Sequence, residues 1–337
     1  MTTRAAVALA SLLIVFAGCG VPDPKLATPL PASADPKGEI LFVANGDVYR
    51  WDGDVAKIVA DGQARSPAWN SDGQRIAYVR MSPEGYSDLV VADRSGREVQ
   101  QMTTHRPDEE PWSRRFAHYA YWAIDPDWSP TKPDQLVYGS DKGGVEYEYS
   151  DDPDDPGRLS DPIFLWLVER DGLDPYILNA SAALSVTQED PDFDPTGTSV
   201  VFTAREDVGA TQIWTLNLDT AEADKLVDGQ VSDPAWSPDG DSIAFVEQDD
   251  SGNNIWIVPS DGGEPYALTT GLDCVGPEWA PDGSGLAFIE LVDSAFRVSF
   301  LPVSRDGAGR LTAGEPRVLF TADDIDAPSG LSWHASQ

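Results

Sequence analysis

Five short runs along the chain are apolar at every position instead of at alternate ones: Ile76-Ala77-Tyr78-Val79, Leu136-Val137-Tyr138, Val200-Val201-Phe202, Ile243-Ala244-Phe245-Val246 and Leu286-Ala287-Phe288-Ile289. An alternating strand keeps one face in water, whereas a short continuous one must be covered on both faces. Another strand pattern follows most runs, as in Asp88-Leu89-Val90-Val91, Ile163 to Val168, Gln212 to Leu216 and Asn254 to Val258. A turn then leads to one more, with Asp171-Gly172 before Tyr176-Ile177-Leu178 and Asp261-Gly262-Gly263 before Tyr266-Ala267-Leu268.

Each continuous run is preceded by a copy of one phrase. The fullest copies are Pro234-Ala235-Trp236-Ser237-Pro238-Asp239-Gly240 and Pro277-Glu278-Trp279-Ala280-Pro281-Asp282-Gly283. Earlier copies centre on Trp69, Trp128 and Phe193, and a truncated one, Leu331-Ser332-Trp333-His334, ends the chain. In Ser-Pro-Asp-Gly the proline presets the first central residue of a type I turn and the glycine supplies a left-handed one, so the phrase predicts a hairpin tip. Four short antiparallel strands per copy, six copies and sheets covered on both faces predict an all-β chain folded as a six-bladed β-propeller. We number the blades 1 to 6 by their marker aromatics, Trp69 through Trp333.

The chain ends supply a test of ring closure. The last copy offers only a first strand, and the N-terminal stretch offers the missing three, Glu39 to Ala44, Asp47 to Trp51 and Val55 to Val59. Blade 6 is therefore expected to be shared between the two ends, which blunts the free edges of the ring. These copies, the four-strand order and the split last blade resemble the TolB-type propeller of the bacterial cell envelope over residues 38–337. The resemblance implies a periplasmic protein–protein role. The same repeat also occurs in propeller domains of prolyl-oligopeptidase-like peptidases and in many lipoproteins, so the fold does not dictate the activity.

Upstream of the ring, Arg4 precedes the apolar run Ala5 to Phe16, which is too short to span a bilayer and reads as an export signal over residues 1–18. Phe16-Ala17-Gly18-Cys19 resembles the bacterial lipobox, which implies cleavage before Cys19 and acylation of its thiol. Residues 19–37, rich in Pro, Ala and Asp, read as a tether. The expected location is extracytoplasmic, lipid-anchored to a bacterial membrane through Cys19. Cys274 is then left without a disulfide partner and is expected to be a buried small hydrophobe.

With 57 acidic and 23 basic residues the formal net charge is −34. Such a surface repels phosphate backbones, so nucleic acid is not an expected partner. The excess suits either a solvated surface for a saline medium or cationic partners. The other blade spacings are longer than the 43 residues that separate Phe193, Trp236 and Trp279, and in the steps from Trp69 to Trp128 and from Trp128 to Phe193 the extra residues fall around His105 to Ile124 and Asp141 to Asp161. The first insertion carries Trp112, Arg114, Arg115, Phe116, His118, Tyr119, Tyr121 and Trp122, a cationic and aromatic group that reads either as a recognition loop or as a satellite core. The second carries the acidic stretch Glu146 to Gly157, whose prolines and spacing do not match an EF-hand.

Catalytic patterns are sparse. There is no Gly-x-Ser-x-Gly elbow and no His-Glu-x-x-His, and the three histidines are His105, His118 and His334. More suggestive are carboxylates three or one residues before the marker aromatic: Asp125, Asp127, Asp190, Asp192, Asp233 and Glu278. First strands line a propeller's channel, so these residues are expected either to form a channel-mouth site for a cation, Ca²⁺ included, or for a basic partner segment, or to bond nearby backbone amides. No cofactor is otherwise expected. The sequence reads as a monomeric, non-enzymatic scaffold for an envelope protein or peptide. A carboxylate- or metal-dependent enzyme acting on glycans or peptides, and a ligand sensor, are the alternatives.

Overall fold

The computed structural model describes residues 36–143, 162–169, 175–178, 186–205 and 210–335. Within them the chain forms six antiparallel sheets of four or five strands, one per repeat. Blade 1 comprises Ala64–Trp69, Arg75–Ser82, Tyr86–Asp93 and Glu98–Gln101. The first strands of the next four blades are Ala123–Trp128, Thr187–Phe193, Val231–Trp236 and Cys274–Trp279. Blade 6 joins Ser332–His334 to Glu39–Ala44, followed by Asp47–Trp51 and Val55–Val59, with Ile40 opposite Trp333. The expected closure and the three N-terminal strands are therefore as the pattern placed them.

The continuous apolar runs are the second strands, and the core shows why they do not alternate. Buried side chains fall into six clusters, each shared by two neighbouring blades. In blade 2, Leu136 and Tyr138 pack toward blade 1 while Val137 packs toward blade 3. Both faces of every sheet are thus interior. One fully buried aromatic sits at the same place in each second strand: Phe42, Tyr78, Tyr138, Phe202, Phe245 and Phe288. Burying such a side chain contributes about 2–3 kcal/mol, repeated six times around the ring.

The hairpin tips form as the phrase predicts. In blade 4, Gly240 N–H donates to the Ser237 carbonyl at 2.8 Å and Ser242 N–H to Ser237 Oγ at 3.0 Å. In blade 3, Asp194 takes the serine's place and accepts from Thr198 and Ser199 N–H, each at 2.7 Å. Two features depart from the plain pattern. Blade 5 fills its outer edge with two short strands, Leu311–Ala313 and Arg317–Thr321, both paired with the long Ala295–Arg305. The first insertion folds a short helix, Arg114–Tyr119, capped by Ser113 Oγ, which accepts from Phe116 N–H at 3.0 Å.

Candidate functional site in the central channel

The six first strands surround the axis, and each blade has a residue of unusual backbone three positions before its marker aromatic. The residues there are Ser66, Asp125, Asp190, Asp233, Gly276 and Gly330, and all six have positive φ, between +43° and +62°. In blades 1 to 5 the pairing with the second strand skips across this point, a β-bulge that turns the residue toward the axis. The left-handed conformation is open to glycine and tolerated by aspartate, which explains why these types share one column. A proline follows in blades 1 to 5.

The bulges enclose a cavity of about 130 Å³ lined by this column and by the residues one before the aromatic. Its charge is lopsided. Asp125, Asp190 and Asp233 occupy three consecutive blades, and Gly276, Gly330 and Ser66 occupy the other three. Ser66 Oγ donates to Asp125 at 2.8 Å, Thr203 Oγ1 to Asp190 at 3.1 Å and Ser232 Oγ to Asp233 at 2.9 Å. Glu189, beside the arc, is paired with Arg205. These carboxylates are half-buried, and they line the narrow cavity. Burial therefore dominates: it pushes Asp125 up to about 6, with Glu189 and Asp233 adding repulsion, and holds Asp190 well above the usual range, reinforced by Asp233 and Asp125. Asp233 is also raised by burial.

The second column, Ala68, Asp127, Asp192, Ala235, Glu278 and Ser332, has a different occupation. Asp127 accepts from Phe193 N–H at 2.9 Å, Asp192 from Trp236 N–H at 2.6 Å, Glu278 from Trp333 N–H at 3.0 Å and Ser332 Oγ from Trp69 N–H at 2.9 Å. Where the column holds alanine, the next blade's indole donates to its carbonyl: Trp128 to Ala68 at 3.2 Å and Trp279 to Ala235 at 3.1 Å. All six seams are stitched in this way. Burial raises Asp127 to about 7 and Glu278 to about 8, and lifts Asp192 well above the usual range, while the donated amides pull the other way.

Of the six carboxylates singled out from sequence, all line the cavity, and they divide into a bulge arc and a seam set. Sequence reasoning missed Ser66, Gly276, Gly330, Ser332 and Glu189. The first three were findable, because glycine in the same column as aspartate signals a left-handed position. In the insertion, Trp112 is 75% exposed, whereas Phe116 and His118 are buried, Phe116 against Tyr86 and under Arg106. Arg115 pairs with Glu109, and Tyr121 and Trp122 are half-buried. His105 is buried at the same end of the ring and His334 lies against Gly73 at the other, so the histidines do not meet. No group of three or more His, Cys, Asp or Glu side chains among the described residues is arranged to hold a metal ion. Cys274 is buried and its thiol, which donates to the Asn253 carbonyl at 3.2 Å, is pushed up to about 12 by burial. The acidic stretch 146–157 and residues 1–35, with Cys19, lie outside the described residues.

Residues 171–317 match the family model of the TolB beta propeller domain. TolB from Acinetobacter baumannii is similar in structure, with a TM-score of 0.61 and 17% identity over 89% of this chain and 67% of that one. A putative TolB from Agrobacterium tumefaciens gives 0.57 and 16% over 90% and 100%. An oligogalacturonate lyase in complex with manganese gives 0.50 and 14% over 88% and 74%. No curated protein matches in sequence.

Proposed function

From the premise that this chain is a TolB-type six-bladed propeller, we propose that it is a non-enzymatic, membrane-anchored extracytoplasmic lipoprotein that binds a cationic group of an envelope protein or peptide in its channel. The observation that carries this reading is the arc of Asp125, Asp190 and Asp233, three carboxylates gathered on half of a ring whose other half is glycine and serine. They sit where they hold protons more tightly than in water, the condition in which an incoming positive charge gains most. Size narrows the occupant. A cavity of about 130 Å³ admits a few waters or one ammonium or guanidinium head, and falls below the roughly 300–1,000 Å³ of small-molecule pockets.

Calcium is the other cation to weigh. It takes six to eight oxygens, and no three carboxylates among the described residues converge on one point, so the ion would have to re-aim the arc. The test is the triple substitution Asp125→Asn, Asp190→Asn and Asp233→Asn, which keeps side chains that tolerate positive φ while removing the charge. Calorimetric titration with lysine- and arginine-bearing envelope peptides is expected to show binding to the parent chain weakened tenfold or more in the variant, with Ca²⁺ titrated separately for comparison. Equal binding by both proteins would end the proposal. Turnover of glycans or peptides by the parent chain would instead favour an enzyme.

A further inference from the structure

The two ends of the ring differ in what they carry, and the entry of the chain marks one of them. Glu39 pairs with His334, and the His334 ring lies against Gly73 in the hairpin tip of blade 1. Gly38 packs so closely on Trp333 and the His334 carbonyl that a Cβ there would lie 2.2 Å from the indole nitrogen. Lys37 is close enough to Asp282, in the hairpin tip of blade 5, to lower its carboxyl, though less than the turn bonds from Ser284 do. Arg94 fastens the same corner by donating to the Gly73 carbonyl at 2.7 Å and to Glu39. Residues 37 to 39 therefore enter the ring among the hairpin tips.

The insertion sits at the other end. Ser87 Oγ donates to the carbonyl of Ala123, the residue that opens the first strand of blade 2, and Tyr121 N–H donates to His105 just before it. A six-residue first strand at about 3.3 Å per residue separates the two ends by roughly 20 Å. The bulge arc, third of six residues at Asp125 and Asp233 and at the midpoint at Asp190, lies no farther from the insertion end than from the hairpin tips. Glu189 with its Arg205 extends the arc toward that end.

We infer that the ring stands on the membrane by its hairpin-tip end and offers the opposite end, with the bulge arc and the insertion that carries Trp112, to a basic segment arriving from the aqueous side. The inference rests on the anchored binding reading above, because it uses Cys19 as the attachment point. Sixteen residues lie between Cys19 and Pro36, a span of seventeen steps that reaches at most about 60 Å. Turning the insertion end to the membrane would spend much of that length passing round the outside of the ring.

Energy transfer from the protein to acceptor lipids tests it. Asp261→Cys places a donor dye on an exposed turn at the hairpin-tip end, and Ala117→Cys places one on the exposed side of the insertion helix. Cys274 is buried with a raised pKa and does not compete for the label. In vesicles carrying the full acylated chain, transfer from position 261 is expected to exceed that from 117 at least twofold. Equal or reversed transfer, with acylation of Cys19 verified by mass spectrometry, overturns the inference. A second arm holds the chain from Gly20 on nickel-chelating lipid by an N-terminal hexahistidine. It reads the entry geometry by itself, so the same twofold excess there supports the inference, and its absence overturns it, even where Cys19 proves unmodified and the anchoring reading falls.

Discussion

Two aspartates two residues apart, Asp190 and Asp192, do different things because one sits in a bulge and the other faces a neighbour's amide. Replacing Asp190 by Gly removes a charge and relieves a left-handed aspartate, so urea unfolding is expected to show unchanged or slightly raised stability. Asp192→Ala strips Trp236 N–H of its acceptor and is expected to cost about 1–3 kcal/mol in the same measurement. The carboxylates also set a pH dependence. Unfolded, they release protons near pH 4, whereas in the ring burial delays release to about 6 at Asp125, about 7 at Asp127 and about 8 at Glu278. The folded state binds more protons in that interval, so stability present below pH 4 is lost as pH rises through 6 to 8. The melting temperature is expected to be several degrees higher at pH 5 than at pH 8, and the triple Asp→Asn variant is expected to flatten that slope.

At the level of strands and turns, the hairpin tips invite a paired comparison. Gly73 and Gly283 have nearly the same φ, +65° and +71°, but a Cβ on Gly73 would lie 2.3 Å from His334 Nε2 while one on Gly283 meets nothing within 4 Å. Both alanine variants carry the left-handed strain of about 1–2 kcal/mol. Gly73→Ala is expected to lose more, and the excess, read by chemical denaturation, measures the contact that closes the ring. Most strands were legible from the chain alone. Runs such as Val200-Val201-Phe202 are apolar throughout because adjacent residues enter different seams, and the proline- and glycine-bearing phrase fixes the turn before each of them. The seam bonds were not legible as such. Asp127 or Glu278 before an aromatic suggests an acceptor, but its donor lies about one blade later in sequence and is found only once the ring exists. The helix Arg114–Tyr119 escaped for a similar reason, since six residues form no stable helix unless Phe116 is buried against Tyr86.

For the molecule as a whole, the final strand carries a disproportionate share of the architecture. Ending the chain after Gly330 removes Ser332 from the Trp69 amide, Trp333 from Glu278 and from the cluster shared with blade 5, and the partner of Glu39 to Leu41. Losing a buried tryptophan alone costs about 3–5 kcal/mol. Differential scanning calorimetry is expected to show a melting point lower by roughly 10 °C or more, or a broadened transition.

The pairing of the first described strand with the last has a temporal side. During synthesis, Glu39 to Ala44 leaves the ribosome almost three hundred residues before the partner that completes its sheet. Blades 1 to 5 have all their strands in order and can assemble as they emerge, while the opening three strands wait with one edge unpaired. The ring thus gains its final cooperativity in one late step, and a chain stalled short of Ser332 presents a sticky edge to chaperones and proteases.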